Sequence, residues 1–327
     1  MKKLVGDTRL IFKCCSLYYQ DGLGQQAICN RLGISRPTVS RMLTLGKELG
    51  IVRIEVKNPD NERYGQLERE VEKRFDLQET IIVDTEPLEK GTRYINSQIG
   101  RATLEFLSRI LTDRDLVGVS MGLTIQNIVR SDFPIEKAIH CTFVPLLGGI
   151  SASNLDIHSN YLVQKFAERF GGRSAQFFAP ALFSDKMVLD GFLKEQPIQK
   201  IVRMYRSLDV IVMGIGVLDS EHSTLLESGY IDAETMKKFI AKGAVGDIAL
   251  RYFDIEGKTD SFTDFNERVA GIGLDLLRKV PKRIGVAGGT HKMKAVLGAI
   301  RGGYINILVT DEACAVALLR QKCSVSK

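Results

Sequence analysis

The sequence predicts an α/β protein in two parts: an amino-terminal (winged) helix-turn-helix followed by a large, doubly wound, mainly parallel α/β domain. Three observations carry this. Residues 25–48 show the punctuation of two short helices joined by a tight turn. From residue 79 onward, short apolar runs alternate with amphipathic helical stretches, the pattern of strands buried on both faces and separated by helices. Charge is also unevenly spread. Residues 1–57 hold five Lys and five Arg against two Asp and two Glu, a net +6 that equals the net charge of the whole 327-residue chain. The remaining body is neutral.

The elements follow in order. Residues 8–19 place Ile11, Cys15 and Tyr18 at helical spacing, so a first helix packs on the helix-turn-helix. Residues 25–32 form the next helix, with Ile28 and Leu32 on one face. Gly33 ends it, because glycine takes the left-handed conformation without steric cost. Ile34 plugs the turn, Ser35 is a candidate N-cap, and Pro37 suits a first helical turn, where no N–H is needed. Val39, Met42 and Leu43 then face inward. Ser35, Arg36, Thr38, Ser40, Arg41 and Thr44 remain as candidate DNA contacts, short hydroxyls and cationic donors suited to base edges and phosphates. A basic end on a neutral body fits phosphate neutralisation.

Strict alternation over residues 51–56 predicts a short strand, placed as a wing, and residues 58–61 break structure. Residues 64–75 carry Leu67, Val71 and Phe75 on a narrow stripe, either a linker or pairing helix or one docked on the next domain. The expected organisation is a DNA-binding domain over 1–57, a linker helix over 58–78 and an effector domain over 79–327. In that last part strands are predicted within 79–84, 115–121, 141–149, 174–180, 209–216, 283–289 and 305–311. Helices are predicted near 93–111, 160–170, 194–205, 233–241 and 292–300.

Composition excludes several classes. No apolar run reaches the ~18 residues of a membrane span, and the amino terminus is too polar for a signal peptide. Six cysteines without a C-x-x-C pair read as reduced, buried thiols of a cytoplasmic protein, and the four histidines show no metal-ligand spacing. Neither Gly-x-Gly-x-x-Gly nor a Walker-type Gly-x-x-x-x-Gly-Lys-Ser/Thr occurs, which argues against dinucleotide or ATP binding; no cofactor is expected.

Ligands of open α/β sheets bind beyond the carboxyl ends of strands, where glycines let backbone N–H groups approach an anion. Three strand ends fit: Ser120, Gly122 and Thr124; Gly148 and Gly149; and Gly288, Gly289 and Lys292, whose ammonium suits a phosphate. Asp247, in a glycine-flanked loop, could accept sugar hydroxyls or cap a turn. Asn160 is either a helix N-cap or a ligand contact. Arg173 reads as a solvated charge.

The ordered set LYYQDGLGQQAICNRLGISRPTVSRMLTLGKELGIVRIEV, GVSMGLT, VPLLGGI, IHSNYLVQKFAERFGG, GDIALRYFDIEGK and RIGVAGGTHKMKAVLGAIRGGYINILVTDEACA resembles the SorC/DeoR family of bacterial transcriptional regulators over essentially the full length. The resemblance implies an effector domain similar to sugar-phosphate isomerases and deaminases, used to bind a phosphorylated sugar rather than convert it. It also implies assembly into homodimers or homotetramers, control of a carbohydrate operon through operator DNA, and an effector site on Ser120, Gly122, Thr124, Gly148, Gly149, Asn160, Asp247, Gly288, Gly289 and Lys292. Cys29 stands where the family usually has alanine, and Met121 where an aromatic is expected.

Two functions follow from different classes. An effector-responsive regulator needs only a ligand that prefers one arrangement of the domains. A sugar-phosphate isomerase or deaminase needs a positioned general base, for which Asp247 and His291 are the candidates. The regulator is the favoured reading and the chain is expected not to be an enzyme.

Overall fold

The computed structural model describes residues 7–53, 63–84, 97–149, 155–218, 226 and 231–321. They fall into two compact units, residues 1–62 and 63–327.

In the first unit, Asp7 caps α1 (Thr8–Tyr19) by accepting the N–H groups of Arg9 and Leu10 at 3.0 and 3.2 Å. Gly33, at φ 64°, ends α2 (Gln25–Leu32) and turns the chain into α3 (Arg36–Glu48). Ile11, Cys14, Cys15 and Leu17 of α1, Ile28 and Cys29 of α2, and Val39, Met42 and Leu43 of α3 make one small core. At Gly46 a Cβ would lie 2.3 Å from the Cys15 sulfur, so α3 crosses α1 where only glycine fits. The predicted wing strand is not formed over residues 51–53, and its remainder, 54–56, lies outside the described residues.

The second unit is built on seven parallel strands: β1 (Glu79–Val83), β2 (Leu116–Val119), β3 (Thr142–Pro145), β4 (Arg173–Ser174), β5 (Val210–Gly214), β8 (Lys282–Val286) and β9 (Ile307–Asp311). Their order is β1-β9-β8-β5-β2-β3-β4, all parallel. The chain runs outward from β2 through β3 to β4, then returns to β5 on the other side of β2. The winding direction therefore reverses between β2 and β5, which opens a crevice at their carboxyl ends. Apolar clusters fill both faces of the sheet. On one face Phe166 and Phe170 of α7 (Ser159–Phe170) stack on Phe143 of β3, with centroids 5.4 and 5.6 Å away.

The predicted strand at 174–180 shrinks to the two residues of β4; beyond Ser174 the chain is irregular because the backbone of Phe177 bonds to Asn160 instead of extending the sheet. The helix predicted at 93–111 is α5 (Ser97–Ile110), residues 93–96 lying outside the described residues. A hairpin that the pattern does not announce, β6 (Ala244–Ile248) and β7 (Arg251–Asp254), forms a separate antiparallel pair. Its two turn residues, Ala249 and Leu250, are buried with positive φ of 49° and 66°, where such turns usually carry Asn or Gly. Helix α4 (Gly65–Phe75) is docked on the body: Val71 is buried, and Glu72 and Glu68 accept the N–H groups of Thr80 and Ile82 on the outer edge of β1 at 2.8 and 2.9 Å. That edge is closed to further strand pairing.

Candidate ligand site and helix face

β2 ends in Ser120, whose Oγ accepts the Gly214 N–H of β5 at 3.2 Å across the reversal point. Gly122 then takes φ 108°, ψ 176°, which side chains rarely allow, and starts α6 (Leu123–Arg130) with no side-chain cap. The first N–H groups of a helix have no intrahelical partner and carry a partial positive charge. Here they open at the crevice beside Thr124, which is buried with its Cβ region packed on Gly214. This is an anion-binding geometry.

On the far side of the β5 end stand Asp247 and Lys292. Asp247 lies on strand β6, not in a loop as its flanking glycines suggest, and pairs through its backbone with Gly216 at 3.0 and 3.3 Å. A Cβ at Gly216 would sit 2.0 Å from its Oδ1, so glycine there admits the carboxylate. Oδ2 accepts the Leu250 N–H at 3.2 Å and so supports the positive-φ turn. Burial pushes the Asp247 carboxyl up to about 6, against the opposing pull of the Leu250 N–H and the Lys292 ammonium. Lys292 donates to the Ile215 carbonyl at 2.8 Å; burial lowers its pKa, while Asp247 and Cys314 act to raise it. A carboxylate and a lysine thus share the rim of the crevice, complementary to hydroxyl and anionic groups of one small ligand.

The other predicted turns differ. Gly148 and Gly149 donate their N–H groups to Ala270 and Ala179 at 2.8 Å each. A Cβ on Gly148 would meet the Ala179 carbonyl at 2.5 Å, and one on Gly149 the His158 ring at 1.7 Å. That pair serves close packing. Gly289, at φ 89°, gives its N–H to the Asp311 carboxylate at 2.9 Å, and a Cβ on Gly288 would strike Ile99 at 2.4 Å. Asn160 is not the cap of α7; His158 is, its Nδ1 accepting the Asn160 N–H at 3.2 Å. The Asn160 carboxamide holds the Phe177 backbone at both ends, at 2.8 and 3.1 Å. Sequence reasoning did not single out the β5 end, Gly214 to Gly216, or Asp311; an apolar run closing in Met-Gly-Ile-Gly was the available signal for the first.

On α3, Ser35, Arg36, Ser40, Arg41 and Thr44 are exposed together. Thr38 is not outward as expected. It is buried, its hydroxyl 2.8 Å from that of Ser35, because one helical turn carries it beneath the cap.

The described residues define a doubly wound α/β body with a crevice at its sheet reversal, and an amino-terminal unit with three helices. Residues 60–320 match the family described as "Putative sugar-binding domain". The chain is 33% identical over 314 residues to the Deoxyribonucleoside regulator of Bacillus subtilis (strain 168), covering 95% of this chain and 97% of that relative. It is 31% identical over 320 residues to the Sorbitol operon regulator of Klebsiella pneumoniae, covering 96% and 98%. The crystal structure of that full-length regulator, SorC, superposes with a TM-score of 0.70 over 96% of this chain and 99% of its own. The chain belongs to the SorC/DeoR family of sugar-binding transcriptional regulators. No helix among the described residues is long and apolar enough to cross a membrane.

Proposed function

We propose that this protein binds operator DNA through α3 and a phosphorylated sugar through the crevice at the β2–β5 reversal, the sugar phosphate setting the affinity for DNA. The domain assignment follows: residues 1–57 read DNA, 58–78 carry the connecting helix, and 79–327 hold the effector. The observation that supports this best is the uncapped start of α6 facing a lysine–aspartate pair across the β5 end. The phosphate is received by the first α6 N–H groups around Thr124, the Ser120 and Thr124 hydroxyls and Lys292, with Gly122, whose own N–H goes to the Ile157 carbonyl at 3.1 Å, shaping the turn, and Asp247 takes the sugar hydroxyls. Gly288 and Gly289 shape the Lys292 turn, while Gly148, Gly149 and Asn160 hold the neighbouring loop. On α3 the contacts are Ser35, Arg36, Ser40, Arg41 and Thr44, with Thr38 supporting Ser35.

The protein acts in the cytoplasm as a homodimer or homotetramer, since two recognition helices are needed for two half-sites. It uses no cofactor and turns nothing over. A coupling of ~1–3 kcal/mol between the sites changes operator affinity roughly 5- to 150-fold.

A thermal-shift panel tests the effector: ribose 5-phosphate, glucose 6-phosphate, fructose 6-phosphate and sorbitol 6-phosphate, each beside its unphosphorylated parent. A binder at 100 times its Kd adds ~2.7 kcal/mol to the folded state; no shift with any phosphate counts against the reading. Arg41→Ala should weaken operator binding by ~1–3 kcal/mol in a fluorescence-anisotropy titration. Product formation from any panel member would instead favour an enzyme.

A further inference from the structure

One carboxylate joins the Lys292 turn to α4, the helix that follows the boundary of the amino-terminal unit in the sequence. Asp311, at the end of β9 and 4% exposed, accepts the Gly289 N–H with Oδ2 and the Cys314 N–H with Oδ1, both at 2.9 Å. The second bond caps the helix Glu312–Leu319. Both ends of that helix grip α4. At its start, Glu312 accepts from the Tyr64 hydroxyl at 3.1 Å and lies 3.6 Å from Arg63. At its end, the Leu319 and Gln321 carbonyls accept from Arg74. Arg63 and Tyr64 also hold Asp84, just past β1. Residue 63 is where the body begins after the amino-terminal unit.

A shift of the Gly289 backbone on ligand entry cannot leave the helix cap unchanged, because both bonds share one buried, nearly rigid side chain. The helix is short and clamped at both termini, so its displacement is passed to α4 rather than absorbed. We propose that Asp311 is a positioning residue that transmits occupancy of the Lys292 turn, through the helix Glu312–Leu319, to α4. This rests on the sugar-phosphate reading above.

The test is hydrogen–deuterium exchange on the full chain, with and without the panel sugar phosphate that gives the largest thermal shift. In the wild type the probe should slow exchange both in residues 287–293 and in α4. In Asp311→Ala, and separately in the Glu312→Ala/Arg74→Ala double variant, which releases both ends of the helix from α4, probe affinity should stay within about threefold and residues 287–293 should stay protected. The probe-induced change in α4 should fall to less than a third. A purely structural role would raise exchange in the free protein but leave the probe-induced change intact. An α4 response of wild-type size in the double variant, or none in the wild type despite a bound probe, overturns the proposal. The double variant leaves the cap untouched and decides the matter should Asp311→Ala fail to fold. A panel with no stabilising member fails the sugar-phosphate reading itself, and the proposal with it.

Discussion

The turn after β2 and the turn after β3 are chemically similar glycine-bearing ends of buried parallel strands, yet they do opposite things with their backbone. After β2, Gly122 spends its own N–H on the Ile157 carbonyl at 3.1 Å, but at φ 108° it launches a helix whose following N–H groups meet no capping side chain. After β3 both glycine N–H groups are spent on Ala270 and Ala179, and the missing side chains make room for a carbonyl and for the His158 ring. Glycine at a strand end therefore marks close approach, and only the fate of the N–H groups says whether the approaching partner is the protein itself or a ligand.

The largest effect is expected from a methyl group added to the closed turn. Gly149→Ala drives a Cβ into His158, so overpacking should cost about 3 kcal/mol, the upper end of the usual range, in chemical denaturation. A cost below ~0.5 kcal/mol would mean that the His158 ring swings aside and that the packing role is wrong.

A second effect is read through pH. The Asp247 carboxyl stands at about 6 in the folded state against 3.8 ordinarily, so its ionisation works against folding. The cost is absent below about pH 4 and complete above about pH 6–7. Wild type should accordingly lose ~1–3 kcal/mol relative to Asp247→Asn as pH rises from 4 to 7. Parallel stability curves for the two proteins would show that the carboxyl is not desolvated.

The smallest effect tests the open turn. Thr124→Val keeps shape and burial, so folding stability should change by less than about 1 kcal/mol, while sugar-phosphate affinity should fall about tenfold for a lost hydrogen bond to a charged group. Equal affinity of the two proteins in calorimetric titration would remove Thr124 from the site.

Much of the molecule was legible because its signals are local. Gly33, Pro37 and the spacing of Val39, Met42 and Leu43 predict α2 and α3, and buried apolar runs locate six of the seven parallel strands well. β4 was overread because apolar residues at 175–180 pack under a loop pinned by Asn160, a contact that no local pattern encodes. The β6–β7 hairpin was missed because its turn lacks the expected Asn or Gly and depends on Asp247, three residues before Leu250. Helical periodicity places Thr38 outward because it does not reveal the bond to Ser35. For the site we propose, residue identity was readable at Ser120, Gly122, Thr124, Asp247 and Lys292. Which glycines had free N–H groups was not, because their partners Ala179, Ala270 and Asp311 lie far away in sequence.

We propose that the uncapped start of α6, with Lys292 opposite, receives a phosphate and thereby governs DNA binding. It is tested most directly by operator-DNA anisotropy on the full chain, titrated with each panel sugar phosphate and its unphosphorylated parent, in wild type and Lys292→Ala. A phosphorylated sugar alone should shift wild-type affinity at least fivefold, and Lys292→Ala should bind DNA normally but no longer respond. A response of equal size to the unphosphorylated parent, or one undiminished in Lys292→Ala, would contradict it.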